Sequence, residues 1–203
     1  MSSKVAIINV GLRRLGQEPI VSLTEGTRAA NLASPQYDEL LPDMLRGAQW
    51  NWATQRVQLA RSATTPASEF DYQFYLPSDW VRTVVVSSSS LGVTDVAYKI
   101  AYDATAGRVI LSNATQMYLT YVANITSPAF MPADFQRALS LAVARDLAIP
   151  LTNSQGMYDR MDAAADRAWT KAVSTDAIED MPDRRPLGSW VTSRQGSSAE
   201  WPR

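Results

Sequence analysis

The 203-residue chain contains no histidine and no cysteine. Ser-His-Asp and Cys-His nucleophile systems therefore cannot be assembled. Disulfides are excluded, which fits a reducing compartment. Zinc sites, which rest on those two residue types, are almost excluded. Only carboxylates, Lys, Arg, Tyr and Ser/Thr remain as catalytic candidates. Lysine is scarce as well: Lys4, Lys99 and Lys171 stand against 16 arginines. Arginine suits planar, bidentate contacts at interfaces, although a GC-rich genome produces the same bias. With a net charge of −1 there is no bulk attraction to nucleic acid. No segment reaches the roughly 18 apolar residues that a membrane span needs, so no membrane association is expected. The stretch MSSKVAIINVGLRRLG has no long apolar run and no small-residue cleavage site, so no secretory leader is expected. Gly11, Gly16 and Gly26 are scattered rather than gathered into a phosphate-binding loop.

What the chain does have is punctuated helix. Over residues 3–15, Val5, Ile8, Leu12 and Leu15 share one helical face. Ser2 or Ser3 can cap its start. Gly16 is placed to stop it in the left-handed conformation, and Pro19 follows at a typical distance. A second helix is expected from Ser22, because Ser22-x-x-Glu25 matches a capping box. Its apolar face would run through Ala30, Ala33, Tyr37, Leu40, Leu41, Met44, Ala48 and Trp52. Pro35 and Pro42 fall inside it, so a kink or break near Pro35 and a bend near Pro42 are expected.

Between 56 and 129 the period changes to short β-rich runs at 56–60, 74–76, 80–86, 97–102, 108–112 and 117–123, separated by turn formers. These predict a five- or six-stranded antiparallel sheet or small barrel. Only 8 of the 68 residues from 62 to 129 are charged, which suggests cover by neighbouring subunits. Helix returns after Pro132, with Asp134 in the first turn and Phe135, Ala138, Leu139, Ala142, Val143 and Leu147 on one face. Pro150 should end it. A last helix carries a stripe of Met157, Met161, Ala164, Ala165, Ala168 and Ala172, small enough for close helix packing, with Asp159, Asp162, Asp166, Arg167 and Lys171 as polar positions around it. After Asp176 periodicity disappears, and an extended or disordered tail is expected.

The order predicts an α+β protein: a helical bundle from both chain halves, with an inserted antiparallel β-sheet or barrel domain and an extended C-terminal tail. The boundaries are 1–55 and 130–175 for the two parts of the bundle, 56–129 for the β domain and 176–203 for the tail.

Few constellations carry chemistry. None of Glu18, Glu25, Glu39, Glu69, Glu179 and Glu200 sits in a motif that sets it opposite a second acid, as glycosidic cleavage would need. Glu25 has a sufficient structural role in the capping box. Asp176, Glu179, Asp180 and Asp183 lack the spacing of a calcium loop and read as a solvated helix end. No catalysis, cofactor or metal is expected. In the tail, Trp190 and Trp201 lie among Arg184, Arg185, Arg194 and Arg203; Trp and Arg are the residues enriched at binding hot spots. This favours a segment that docks on a partner, against one that folds back on its own domain. Trp50-Asn51-Trp52 either cements the bundle to the β domain or crosses to a neighbouring subunit.

Leu12-x-x-Leu15-Gly16-x-x-Pro19-Ile20-x-Ser22-Leu23, then Ala29-Ala30, Tyr37-Asp38, Leu45-Arg46 and Trp50-Asn51-x-Ala53, resembles the head-to-tail connector adaptors of tailed bacteriophages. Within them it looks most like the tail tubular protein A group. Phe74-x-Leu76-Pro77-x-Asp79 is similar to that family's Leu-Pro-x-Asp element before a β-strand. Gln49 departs from the His-Pro or similar pair expected before Trp-Asn. The resemblance is sharp over 5–85, looser to 175 and weak in the tail.

It implies a virion protein at the head–tail interface, made in the host cytoplasm, that forms a dodecameric ring under the portal protein. Such a ring extends the channel for double-stranded DNA without sequence-specific binding and carries the next tail or nozzle protein. On this reading Arg184, Arg185, Trp190, Arg194 and Trp201 are portal-docking candidates, and Gly16, Pro19, Ser22, Glu25, Trp50 and Trp52 form a structural elbow. The alternatives are a tail-associated peptidoglycan hydrolase using carboxylates, and a terminator or stopper ring that never touches the portal.

Overall fold

A computed structural model describes residues 3–66, 69–90, 96–105 and 107–179. Helix α1 (Lys4–Arg14) begins where the Ser3 hydroxyl accepts from the Ala6 amide at 3.1 Å. Beyond it Gly16 takes φ +69, and the Gln17 amide turns back to the Leu12 carbonyl at 3.0 Å. That reversal satisfies the last carbonyls of the helix, and glycine's missing Cβ permits it.

Helix α2 (Arg28–Gly47) starts later than the sequence suggested, with Thr27 as its cap; the Ala30 amide reaches the Thr27 hydroxyl at 3.2 Å. The Ser22–Glu25 pattern closes a separate turn instead. Glu25 accepts from the Val21 and Ser22 amides at 2.7 and 3.1 Å, and the Ser22 hydroxyl accepts from the Thr24 amide at 3.2 Å. The same polar atoms that could open a helix are spent on local backbone donors.

The expected break at Pro35 does not occur, for α2 is continuous through Pro35 and Pro42. Both prolines are exposed, and the carbonyls they leave without a helical donor belong to the exposed Asn31 and Asp38. Water can satisfy those carbonyls, so the helix survives while its opposite face stays packed. Pro150 likewise does not end its helix. Helix α3 (Ala133–Thr152) passes through it and stops at Asn153, φ +51. The Pro150 carbonyl accepts from Arg28 of α2 at 2.7 Å. Helix α4 (Gln155–Glu179) closes the bundle and runs past Asp176, which corrects the expected start of the tail.

Six strands lie between α2 and α3: β1 (Thr54–Gln58), β2 (Tyr72–Tyr75), β3 (Trp80–Ser87), β4 (Tyr98–Asp103), β5 (Gly107–Ser112) and β6 (Tyr118–Ala123). They form neither one sheet nor a closed barrel among the described residues. They divide into two three-stranded antiparallel sheets, ordered β1-β6-β3 and β2-β5-β4. Leu59, Val86, Met117, Leu119, Tyr121 and Ala123 from the first sheet and its flanks pack on Phe74 and Ile110 of the second. Stacking hides an apolar face on each sheet that a single open sheet would leave wet.

The first sheet also faces the other way. Val122 is part of the bundle core, with Val81 and Val84 packed against it, because alternate residues of a strand point to opposite faces. The bundle core itself joins Ile8, Leu12, Tyr37, Leu45, Trp50, Phe135, Leu139 and Leu147. Gly11 lets α1 approach α3 closely: a Cβ there would stand 2.7 Å from the Ser140 carbonyl oxygen. On α4 the small-residue stripe turns inward as expected, with Ala165 and Ala172 buried.

Candidate interaction surfaces

The elbow residues fall into two groups. Gly16, Pro19, Ser22 and Glu25 lie in the α1–α2 connection. A tie the sequence did not disclose holds that connection to α1: the Asn9 side chain donates to the Ile20 carbonyl and accepts from the Ile20 amide, both at 2.8 Å. Exchanging both bonds with one amide side chain fixes the turn as a second strand would. The Glu25 carboxyl lies below its usual range, held there by the Thr27 hydroxyl and the Val21 and Ser22 amides.

Trp50 and Trp52 sit in and beside a 3₁₀ turn (Asn51–Ala53) between α2 and β1. Trp50 is buried, its indole donating to the Met44 carbonyl at 3.0 Å. Its ring meets Phe135 and Trp169 edge-on, at centroid distances of 4.9 and 5.3 Å, and Trp52 meets Phe135 at 4.9 Å. The pair thus locks the passage into the β region onto α3 and α4. Asp176, expected to be solvated, is buried here and accepts from the Asn51 amide at 2.8 Å; the Asn51 side chain donates to its carbonyl at 2.7 Å. Burial is affordable because the carboxylate meets a backbone donor that would otherwise be orphaned.

Beside the end of α4, a pocket of about 170 Å³ is lined by Trp50, Trp52, Phe135, Ala172 and Glu179 among others. A larger groove, about 470 Å³, lies over α3 between α1 and α4. Its floor is Leu141, Ala164 and Ala168; its rim is Arg14, Arg137, Arg167 and Lys171, with Asp134 the one carboxylate. Lys171 pairs with Asp134 at 3.2 Å. Four cations against one acid, on a chain of net charge −1, make this a concentrated positive region. Arg167 and Lys171 read in the sequence only as polar positions of a helix. Their one-sided placement was legible from helical spacing, but the meeting with Arg14 and Arg137 was not.

A third surface lies on the β region. β4 pairs only with β5, and its other edge has no partner strand among the described residues. Tyr98, Ile100 and Tyr102 alternate along it at 42, 41 and 78 % exposure. An unpaired edge beside an apolar row on one face is a ready pairing surface.

The docking candidates Arg184, Arg185, Trp190, Arg194 and Trp201 lie outside the described residues. Among the described residues there is no cluster of acids placed to hold a metal ion, and no helix is long and apolar enough to cross a membrane. No family model matches the chain, and no curated protein matches it.

Proposed function

We propose that this protein is a head-to-tail adaptor of a tailed bacteriophage: a virion structural protein that forms a dodecameric ring beneath the portal, extends the DNA channel and carries the next tail component. The observation that carries the reading is the β region. It holds little charge and exposes Tyr98, Ile100 and Tyr102 on β4, whose outer edge is unpaired among the described residues. Such a surface is an aggregation liability on a free monomer and an asset to a subunit covered by neighbours. The helical bundle supplies a rigid body, with Trp50 and Trp52 fixing the β region to it.

The tail is the proposed portal clamp, through Arg184, Arg185, Trp190, Arg194 and Trp201. Because Asp176 is built into the bundle, the test is removal of 180–203 rather than of everything from 176. The shortened protein should keep the thermal unfolding of the full chain and lose binding to isolated portal rings. Undiminished binding would refute the clamp. Copurification with tail-tube protein but never with portal would favour the stopper or terminator reading. Clearing of a peptidoglycan zymogram, abolished by a single Glu substitution, would favour the hydrolase.

A further inference from the structure

Charge is divided across the bundle. Arg137 and Asp146 stand nine residues apart on α3, about two and a half turns, and so on opposite faces. Asp162 and Lys171 stand in the same relation on α4. One flank is the groove rimmed by Arg14, Arg137, Arg167 and Lys171. The other gathers carboxylates. Asp146 accepts from Gln36 of α2 at 2.8 Å, and Arg145 contacts Asp146 at 2.7 Å and Asp162 at 3.8 Å, which ties α2, α3 and α4 together on that side. Asp43 lies about two turns along α2 from Gln36, and Asp159 and Asp166 lie about one turn to either side of Asp162 on α4; all three are exposed. Arg145 is the one cation in this set.

We infer that the two flanks are the two halves of one interface: the basic groove of one copy receives the acidic α4 ridge, Asp159, Asp162 and Asp166, of a second copy. This rests on the ring reading and names the surfaces that would build it. The sizes agree, since Asp159 to Asp166 rises about 10 Å along its helix, as does the groove wall from Asp134 to Leu141. The floor of Leu141, Ala164 and Ala168 is apolar and mostly small, so a helical ridge can approach it closely while its acids meet the arginines on the rim. A patch on one flank that complements a different patch on the other gives a head-to-tail contact, which repeats from copy to copy and closes when the rotation allows. A DNA backbone fits less well. It needs cations along an open track, whereas these surround a short apolar floor.

The experiment uses the full chain and two double variants at exposed positions. Arg137→Glu/Arg167→Glu reverses the groove, and Asp159→Arg/Asp166→Arg reverses the ridge. Sedimentation velocity at low salt should show wild type self-associating, and each variant alone associating roughly tenfold or more weakly. The mixture should recover, since the acidic groove of one now meets the basic ridge of the other. Unchanged thermal unfolding guards against misfolding. If wild type associates and both variants do so equally well, this pairing is overturned while the ring reading stands. A wild type that stays monomeric at every concentration also overturns it, and the ring reading is then decided separately by assembly on portal rings. If the groove variant instead loses binding to a labelled DNA duplex with assembly unaffected, the groove is a nucleic-acid surface and the inference fails.

Discussion

Replacing Gly11 with alanine sets helix propensity against packing. In an unhindered helix interior the exchange stabilises by about 0.8–1 kcal/mol. At Gly11 the new methyl would lie 2.7 Å from the Ser140 carbonyl oxygen and 3.5 Å from the Ala144 Cβ. The second contact is ordinary; the first is not, and its partner is backbone in a buried stretch of α3. No rotamer change can relieve it, so the two helices must separate. Overpacking of this kind costs about 1–3 kcal/mol. Set against the propensity gain, this leaves a net loss of up to about 2 kcal/mol and a Tm lowered by up to roughly 8 °C. Gly156, near the start of α4, is the matched control, because a Cβ there meets nothing within 4 Å. Gly156→Ala should hold or raise the Tm. Thermal unfolding followed by far-ultraviolet circular dichroism, repeated in urea, compares the two. A Gly11→Ala protein melting at or above wild type would sink the close-approach argument.

Two further predictions concern buried polar groups. Asp176→Ala should destabilise by about 1–3 kcal/mol, because the Asn51 amide loses its partner away from water; a urea midpoint equal to wild type would count against that tie. The Tyr37 and Tyr121 phenols are both raised from 10.0 to about 12, chiefly by burial, with Asp38 beside the first and Asp79 hydrogen-bonded to the second. Folding thus favours the neutral phenol. Its contribution is complete below pH 10 and is lost as pH rises from 10 toward about 12. In an ultraviolet phenolate titration, Tyr37→Phe and Tyr121→Phe should each remove amplitude near pH 12; loss of amplitude near pH 10 instead would contradict the burial assignment.

The sequence carried local structure well where one physical signal acted alone. Ser3 caps α1 and Gly16 stops it, since one hydroxyl and one missing Cβ suffice. Each of the six β-rich runs overlaps an observed strand, because alternation and turn residues are local. It misled where a signal had two outlets. Ser22 and Glu25 could cap a helix or a turn, and the turn took them. Pro35 and Pro42 forbid two hydrogen bonds, but whether a helix breaks depends on whether water reaches the freed carbonyls, and that is a matter of burial. Asp176 looked solvated because the donor that justifies its burial, the Asn51 amide, is 125 residues away.

By itself, then, the sequence determined the order of helices and strands though not every helix end, that the β region is poor in charge, and that His- and Cys-based chemistry is absent. Those follow from composition and from periods of two and 3.6 residues. Tertiary structure decided that six strands make two stacked sheets, that Trp50 and Trp52 lock onto α3 and α4, and that four cations from three helices meet around one groove. Such choices depend on which faces bury one another, and burial is a property of the packed chain rather than of any segment in it.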